Sequence, residues 1–141
     1  MDGDVLYDQK ILEQLIMSKN PNNFLIDREL EDGDEPMKLG IREGYPIDFR
    51  KVLEKPYDFY GESVGFFCFN HDVIKDILNA ANKIILSGHR DDYMEEAIRQ
   101  VLLVSPPGRF NFIDISGMPW IEIDFPSDII RAKTEILPKL A

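Results

Sequence analysis

Between Gly61 and Phe69 the chain reads GESVGFFCF, and the second half of that run carries no charge. Both pleat faces of such a strand are apolar, so both need cover, which places it in the middle of a sheet. Asn70 follows at once as a helix N-cap. Val73, Ile74, Ile77, Leu78, Ala81, Ile84 and Ile85 then recur at helical spacing until Gly88. A strand covered on both faces that feeds a long amphipathic helix implies layers of helix on sheet.

The rest of the sequence fits the same layers. Asp8 is placed to cap a helix with Ile11, Leu12, Leu15 and Ile16 on its apolar side, ending before Asn20-Pro21-Asn22. Phe24–Asp27 reads as a strand, and the segment from Arg28 to Pro36 as a charged loop. Met37–Arg42, Glu43-Gly44 and Tyr45–Arg50 read as a hairpin. A further helix starts at Asp91 or Asp92, turns Met94, Ile98, Val101 and Leu102 inward, and stops at Pro106-Pro107. Strands at Phe110–Ile115 and Trp120–Phe125 precede a helix opening on Pro126 and reaching Leu137. The expectation is an α/β fold, a partial Rossmann-like mixed sheet with three or four helices and a small hairpin.

At 141 residues and 44% hydrophobic content, the chain suits a single domain, 1–141, around one core. Its one cysteine, Cys68, reads as a small buried hydrophobe. A lone cysteine, no basic leader at MDGDV and no apolar run near ~18 residues point to a soluble protein of the cytoplasm, with no membrane partner. The formal charge of −10 repels nucleic acid, which is not expected as a partner. A phosphorylated small ligand would need a divalent cation or a few placed basic residues to offset like charge. His71 and His89 are solitary and suggest no metal site.

Attention therefore falls on carboxylates. In Trp120–Phe125 the two-residue period puts Trp120, Glu122 and Asp124 on one face, with Asp124 at the end of its strand beside a helix start. There it either binds a ligand or caps the helix at Pro126. Asp2-Gly3-Asp4 precedes a short apolar stretch and a helix, and is either a second acidic site at a strand-helix junction or a solvated end. Two such sites can share one Mg²⁺, which takes one or two carboxylates plus substrate phosphates.

The stretch GDVLYDQKILEQLI resembles the segment of sugar nucleotidyltransferases and choline-phosphate or phosphonate cytidylyltransferases that begins at their metal-binding Asp, here Asp4. DEPMKLGI, FRK, GESVGFF, DDYMEEAI and PWIEIDFPSDIIRA follow in the family's order, so the resemblance spans nearly the whole chain. It implies Mg²⁺-dependent transfer of a nucleoside monophosphate from a nucleoside triphosphate to a phosphorylated sugar, alcohol or phosphonate, with release of pyrophosphate. Asp4 and Asp124 would bind the metal. Lys51 would neutralise the acceptor phosphate, Glu62 would contact the acceptor's polar or cationic group, and Gly65, Asp92, Glu95 and Glu122 would line its pocket. Members of the family also carry a glycine-rich GxGxRxxP loop, and no such motif occurs here. The expectation is thus the acceptor-binding C-terminal part of the fold, inactive alone, which pairs into a homodimer through the face that an N-terminal part would cover. The rival expectation is a non-catalytic binding module.

Overall fold

The computed structural model describes residues 1–29, 36–91 and 93–140. Among them the chain runs β1 (Val5–Tyr7), α1 (Gln9–Met17), β2 (Asn23–Asp27), β3 (Lys38–Arg42), β4 (Tyr45–Arg50), β5 (Phe59–Cys68), α2 (His71–Leu86), α3 (Tyr93–Val104), β6 (Asn111–Asp114), β7 (Trp120–Glu122) and α4 (Pro126–Arg131). Five strands form one mixed sheet in the order β4-β3-β5-β2-β6, parallel only between β2 and β6. The apolar run is its central strand.

Both faces of that sheet are covered, as the composition of β5 requires. On one face Phe24, Ile26, Leu39, Ile41 and Phe49 pack against Val73, Ile77, Ala81 and Ile84 of α2 and Ala97, Ile98, Val101 and Leu102 of α3. Phe24 is fully buried and meets Phe49, Phe67, Phe69 and Phe110 at ring separations of 5.3 to 5.8 Å. Tilted and edge-on pairs of this kind each add about 0.5–1.5 kcal/mol to their area burial. On the other face Leu25, Val64, Phe66 and Ile115 receive Ile11 and Leu15 of α1, with Val5, Tyr7 and Trp120 at the margin. Across this second face the register lines up Asp27, Glu62, Lys38 and Arg50 in one row.

The ends of the elements follow their sequence signals. Asp8 accepts from the Lys10 amide and Asn70 from the Val73 amide, the two expected N-caps. Glu43 and Gly44 both take positive φ, which closes the β3–β4 hairpin in the turn that suits the twist of its strands. Arg99 of α3 reaches the wholly buried Asp48 on β4 at 2.9 Å, and the amides of Phe49 and Glu54 share the same carboxylate.

Several expectations change. The tail strand is three residues long, because the amides of Asp124 and Phe125 turn to the Asp128 carboxylate (3.1 and 2.8 Å). It also pairs with β1 in a separate two-stranded antiparallel ribbon and does not join the main sheet. Asp2-Gly3-Asp4 accordingly leads into a strand and does not lie on a strand-to-helix loop. Cys68 is exposed, since β5 ends at the sheet rim there. Ile16, Ile74, Leu78 and Met94 are exposed, because each helix buries only a narrow stripe. Val64 and Phe66 are 1% exposed beneath α1, so their side chains are not available to the homodimer face that the resemblance implies. Strand pairing of β3 with β5 reaches Glu62, the Ser63 amide donates to the Met37 carbonyl at 2.8 Å, and among the described residues no strand pairs with Val64–Cys68 on that side. No helix of the described residues is long and apolar enough to cross a membrane.

Candidate metal centre

The ribbon brings the two ends of the chain together. Val5 lies opposite Glu122 and Tyr7 opposite Trp120, and the Ile123 amide donates to the Asp4 carbonyl at 2.9 Å, so the ladder extends one step beyond the strands. Trp120 fixes the ribbon to the sheet: its Nε1 donates to Oδ2 of the buried Asp27 at 2.7 Å. Asp4, Glu122 and Asp124 then lie at one end of the ribbon, each offering a carboxylate oxygen, with all three oxygens within 4.8 Å of one another. Such proximity of three like charges is unfavourable unless something positive offsets it.

The sequence leaves Asp124 between binding a ligand and capping the helix at Pro126. Here α4 takes its cap from Asp128, whose carboxylate reaches back to the Phe125 and Asp124 amides, so the Asp124 side chain is left for the cluster. Asp4, Glu122, Asp2, Gly3 and Glu95 line an open cleft. Glu95 comes from the first turn of α3. Partial desolvation, followed by the charges of Asp124, Asp4, Asp2 and Asp128, raises the Glu122 carboxyl above its usual range. Asp2 is raised too, by desolvation first and then by Asp4 and Glu95, against the opposing pull of the N-terminal ammonium.

Of the residues singled out in the sequence, the fold thus unites Asp4, Glu122 and Asp124, with Glu95 in the same cleft. Gly65 forms part of its surroundings, since its carbonyl accepts the Asp2 amide at 3.1 Å. Glu62 stands apart, in the row across the sheet between Asp27 and Lys38. Lys51 is exposed in the turn after β4, where its carbonyl accepts from Lys38 Nζ at 2.8 Å. Asp92 lies outside the described residues. Asp2, which the sequence presents only as part of the acidic segment Asp2-Gly3-Asp4 and with no role of its own, lines the same cleft.

Three carboxylates form an all-oxygen donor set, which suits hard cations such as Mg²⁺, Ca²⁺ or Mn²⁺ and not the thiolate- or imidazole-preferring metals. Mg²⁺ keeps several water or phosphate ligands, and an open cleft with two or three protein oxygens leaves room for them. The residues therefore fit the cation that the family resemblance implies.

The sequence matches no protein-family model and no curated protein. Among solved structures the chain is similar to the inositol-1-phosphate CTP transferase from T. maritima, with a TM-score of 0.61 at 17% identity. The likeness covers 98% of this chain and 55% of that one, so the chain spans about half the length of the structure it matches. At this level of identity the likeness speaks for the fold, and the mixed α/β architecture described above is a nucleotidyltransferase-like fold.

Proposed function

We propose that this chain forms the cation- and acceptor-binding part of a Mg²⁺-dependent nucleotidyltransferase. The reaction moves a nucleoside monophosphate from a nucleoside triphosphate to a phosphorylated sugar, a phosphorylated alcohol such as phosphocholine, or a phosphonate. The supporting observation is the meeting of Asp4, Glu122 and Asp124, from opposite ends of the sequence, with oxygens within 4.8 Å. An acceptor oxygen attacks the α-phosphorus, a new P–O bond forms, and the bond to the bridging oxygen breaks to release pyrophosphate. Bound Mg²⁺ supplies charge neutralisation for the triphosphate.

In this reading Asp4 and Asp124 hold the cation, and Glu122 adds a third oxygen once the cation offsets its neighbours. Glu95 and Gly65 line the acceptor side, Glu62 meets the acceptor's polar or cationic group, and Lys51 neutralises its phosphate. Positioning and charge carry such a reaction, with no covalent nucleophile. Because the chain spans only about half of the similar structure, the complete reaction is assigned to an assembly in which a triphosphate-holding portion joins this one. The cytoplasm, where nucleoside triphosphates are plentiful, is its place.

Calorimetric titration of Mg²⁺ into the chain tests the first half, with one site expected and its loss expected in Asp4→Asn and Asp124→Asn. Pyrophosphate release from the common nucleoside triphosphates, with phosphocholine or a sugar phosphate as acceptor, should stay at background for the chain alone. No Mg²⁺ binding by the wild type would end this reading. Turnover by the chain alone that Asp124→Asn abolishes would show that the whole site lies within these residues.

A further inference from the structure

We propose that Gly65 is a positioning residue for Asp4: the central strand of the sheet seats the segment Asp2–Asp4 at Gly65 and so sets where the Asp4 carboxylate lies. The inference rests on the reading of Asp4 as a cation ligand, and goes beyond it by naming what holds that ligand in place. Gly65 sits where β5 slips against β2, with Phe24 opposite Phe67 but Ile26 opposite Ser63. Two residues along β2 are thus matched by four along β5. The chain absorbs the excess at Gly65, whose φ of +81° is a conformation that side-chain-bearing residues rarely adopt.

This irregularity faces the start of the chain. The Gly65 carbonyl accepts the Asp2 amide at 3.1 Å, and the Asp2 side chain lies over the place where a Cβ would project. A methyl group there would stand 2.8 Å from Asp2 Cγ and 3.2 Å from Asp2 Cβ. Rotation of the exposed Asp2 side chain can relieve the contact at Cγ, but Cβ does not move with that rotation and must give by a few tenths of an ångström, which shifts the seat of the segment. On its other side Asp4 is tied by its carbonyl to the Ile123 amide at 2.9 Å. Asp4 is therefore held between two clamps, one on β5 through Asp2 and one on the β7 side. Only glycine at position 65 meets both demands, a left-handed φ and an empty Cβ position.

Gly44 supplies the matched control. Its φ is +82°, yet a Cβ built on it has nothing within 4 Å. Gly44→Ala thus imposes similar backbone strain without a collision, whereas Gly65→Ala imposes both. Amide hydrogen exchange and Mn²⁺ binding followed by water-proton relaxation are measured on the wild type, Gly44→Ala, Gly65→Ala, Asp2→Gly, and Gly65→Ala combined with Asp2→Gly. Both alanine variants should melt earlier. Only Gly65→Ala should speed exchange at the Ile123 amide and weaken Mn²⁺ binding, each by about tenfold or more. Adding Asp2→Gly removes the colliding side chain but keeps the amide, and should return both quantities towards those of Asp2→Gly alone. Equal Ile123 exchange in Gly65→Ala and Gly44→Ala, or no recovery in the double variant, would overturn the proposal. A wild type that binds no Mn²⁺ would overturn the reading of Asp4 as a ligand, and the exchange comparison would still decide whether Gly65 seats the segment.

Discussion

Replacing Glu122 with Gln is expected to stabilise the cation-free protein at neutral pH. Its carboxylate oxygen lies within 4.8 Å of those offered by Asp4 and Asp124. Two unit charges at 4.8 Å repel by about 0.9 kcal/mol in water and about 3.5 kcal/mol at an effective dielectric constant near 20. All three groups are exposed, so the water value applies, further reduced by mobility and salt. Two such pairs leave a net repulsion of about 1 kcal/mol, and Glu122→Gln should raise the melting temperature by roughly 4 °C. The pH dependence has a definite sign. The folded-state carboxyl is raised above its ordinary 4.5, so the folded protein binds its proton more readily than the unfolded chain does. The destabilisation is complete above the raised value, shrinks as pH falls through it, and is gone below about 4.5. Urea melts across this range should therefore show wild type and Glu122→Gln converging at acid pH. With millimolar Mg²⁺ the order should narrow or invert, because the wild type gains more from binding. A Glu122→Gln protein less stable than wild type without cation at neutral pH, or a difference constant with pH, would refute the electrostatic account of the cluster.

With the triphosphate-holding portion supplied, Asp124→Asn should lower turnover by about 10² or more, some 2.7 kcal/mol in activation free energy, with little effect on folding because Asp128 provides the helix cap. An effect under about fivefold would remove Asp124 from the site. Arg99→Ala should cost about 3 kcal/mol in a urea melt, since it leaves the fully buried Asp48 carboxylate without its cation, and a loss under about 1 kcal/mol would show that the Phe49 and Glu54 amides suffice. Light scattering at micromolar concentration should give a two-fold dimer formed along the edge of β5 beyond Ser63, where a partner strand would join or displace the Asp2 contact at Gly65. A monomer at all concentrations, with amides along that edge protected, would refute it.

Local signals in the sequence were enough for most elements and for the layered plan. The apolar run of β5 required cover on both faces and obtained it, Asp8 and Asn70 marked two helix starts, and Glu43-Gly44 marked the hairpin. Each depends on neighbours within one or two turns of the chain, which is what a sequence states directly. It also showed that Glu122 and Asp124 share a strand face, and left open whether Asp124 binds or caps. Tertiary structure gave the cap to Asp128, a residue four places on, which removes capping as the role of the Asp124 side chain. Tertiary structure alone made Asp4 a neighbour of Asp124, because antiparallel pairing of two three-residue strands depends on how both pack against the sheet. The same holds for Gly65 beneath Asp2 and for Glu95 in the cleft. Short strands carry too little hydrophobic pattern to announce their partners, and carboxylates carry none, so their meeting had to be set by the core that Ile11, Leu15, Val64 and Phe66 build behind them.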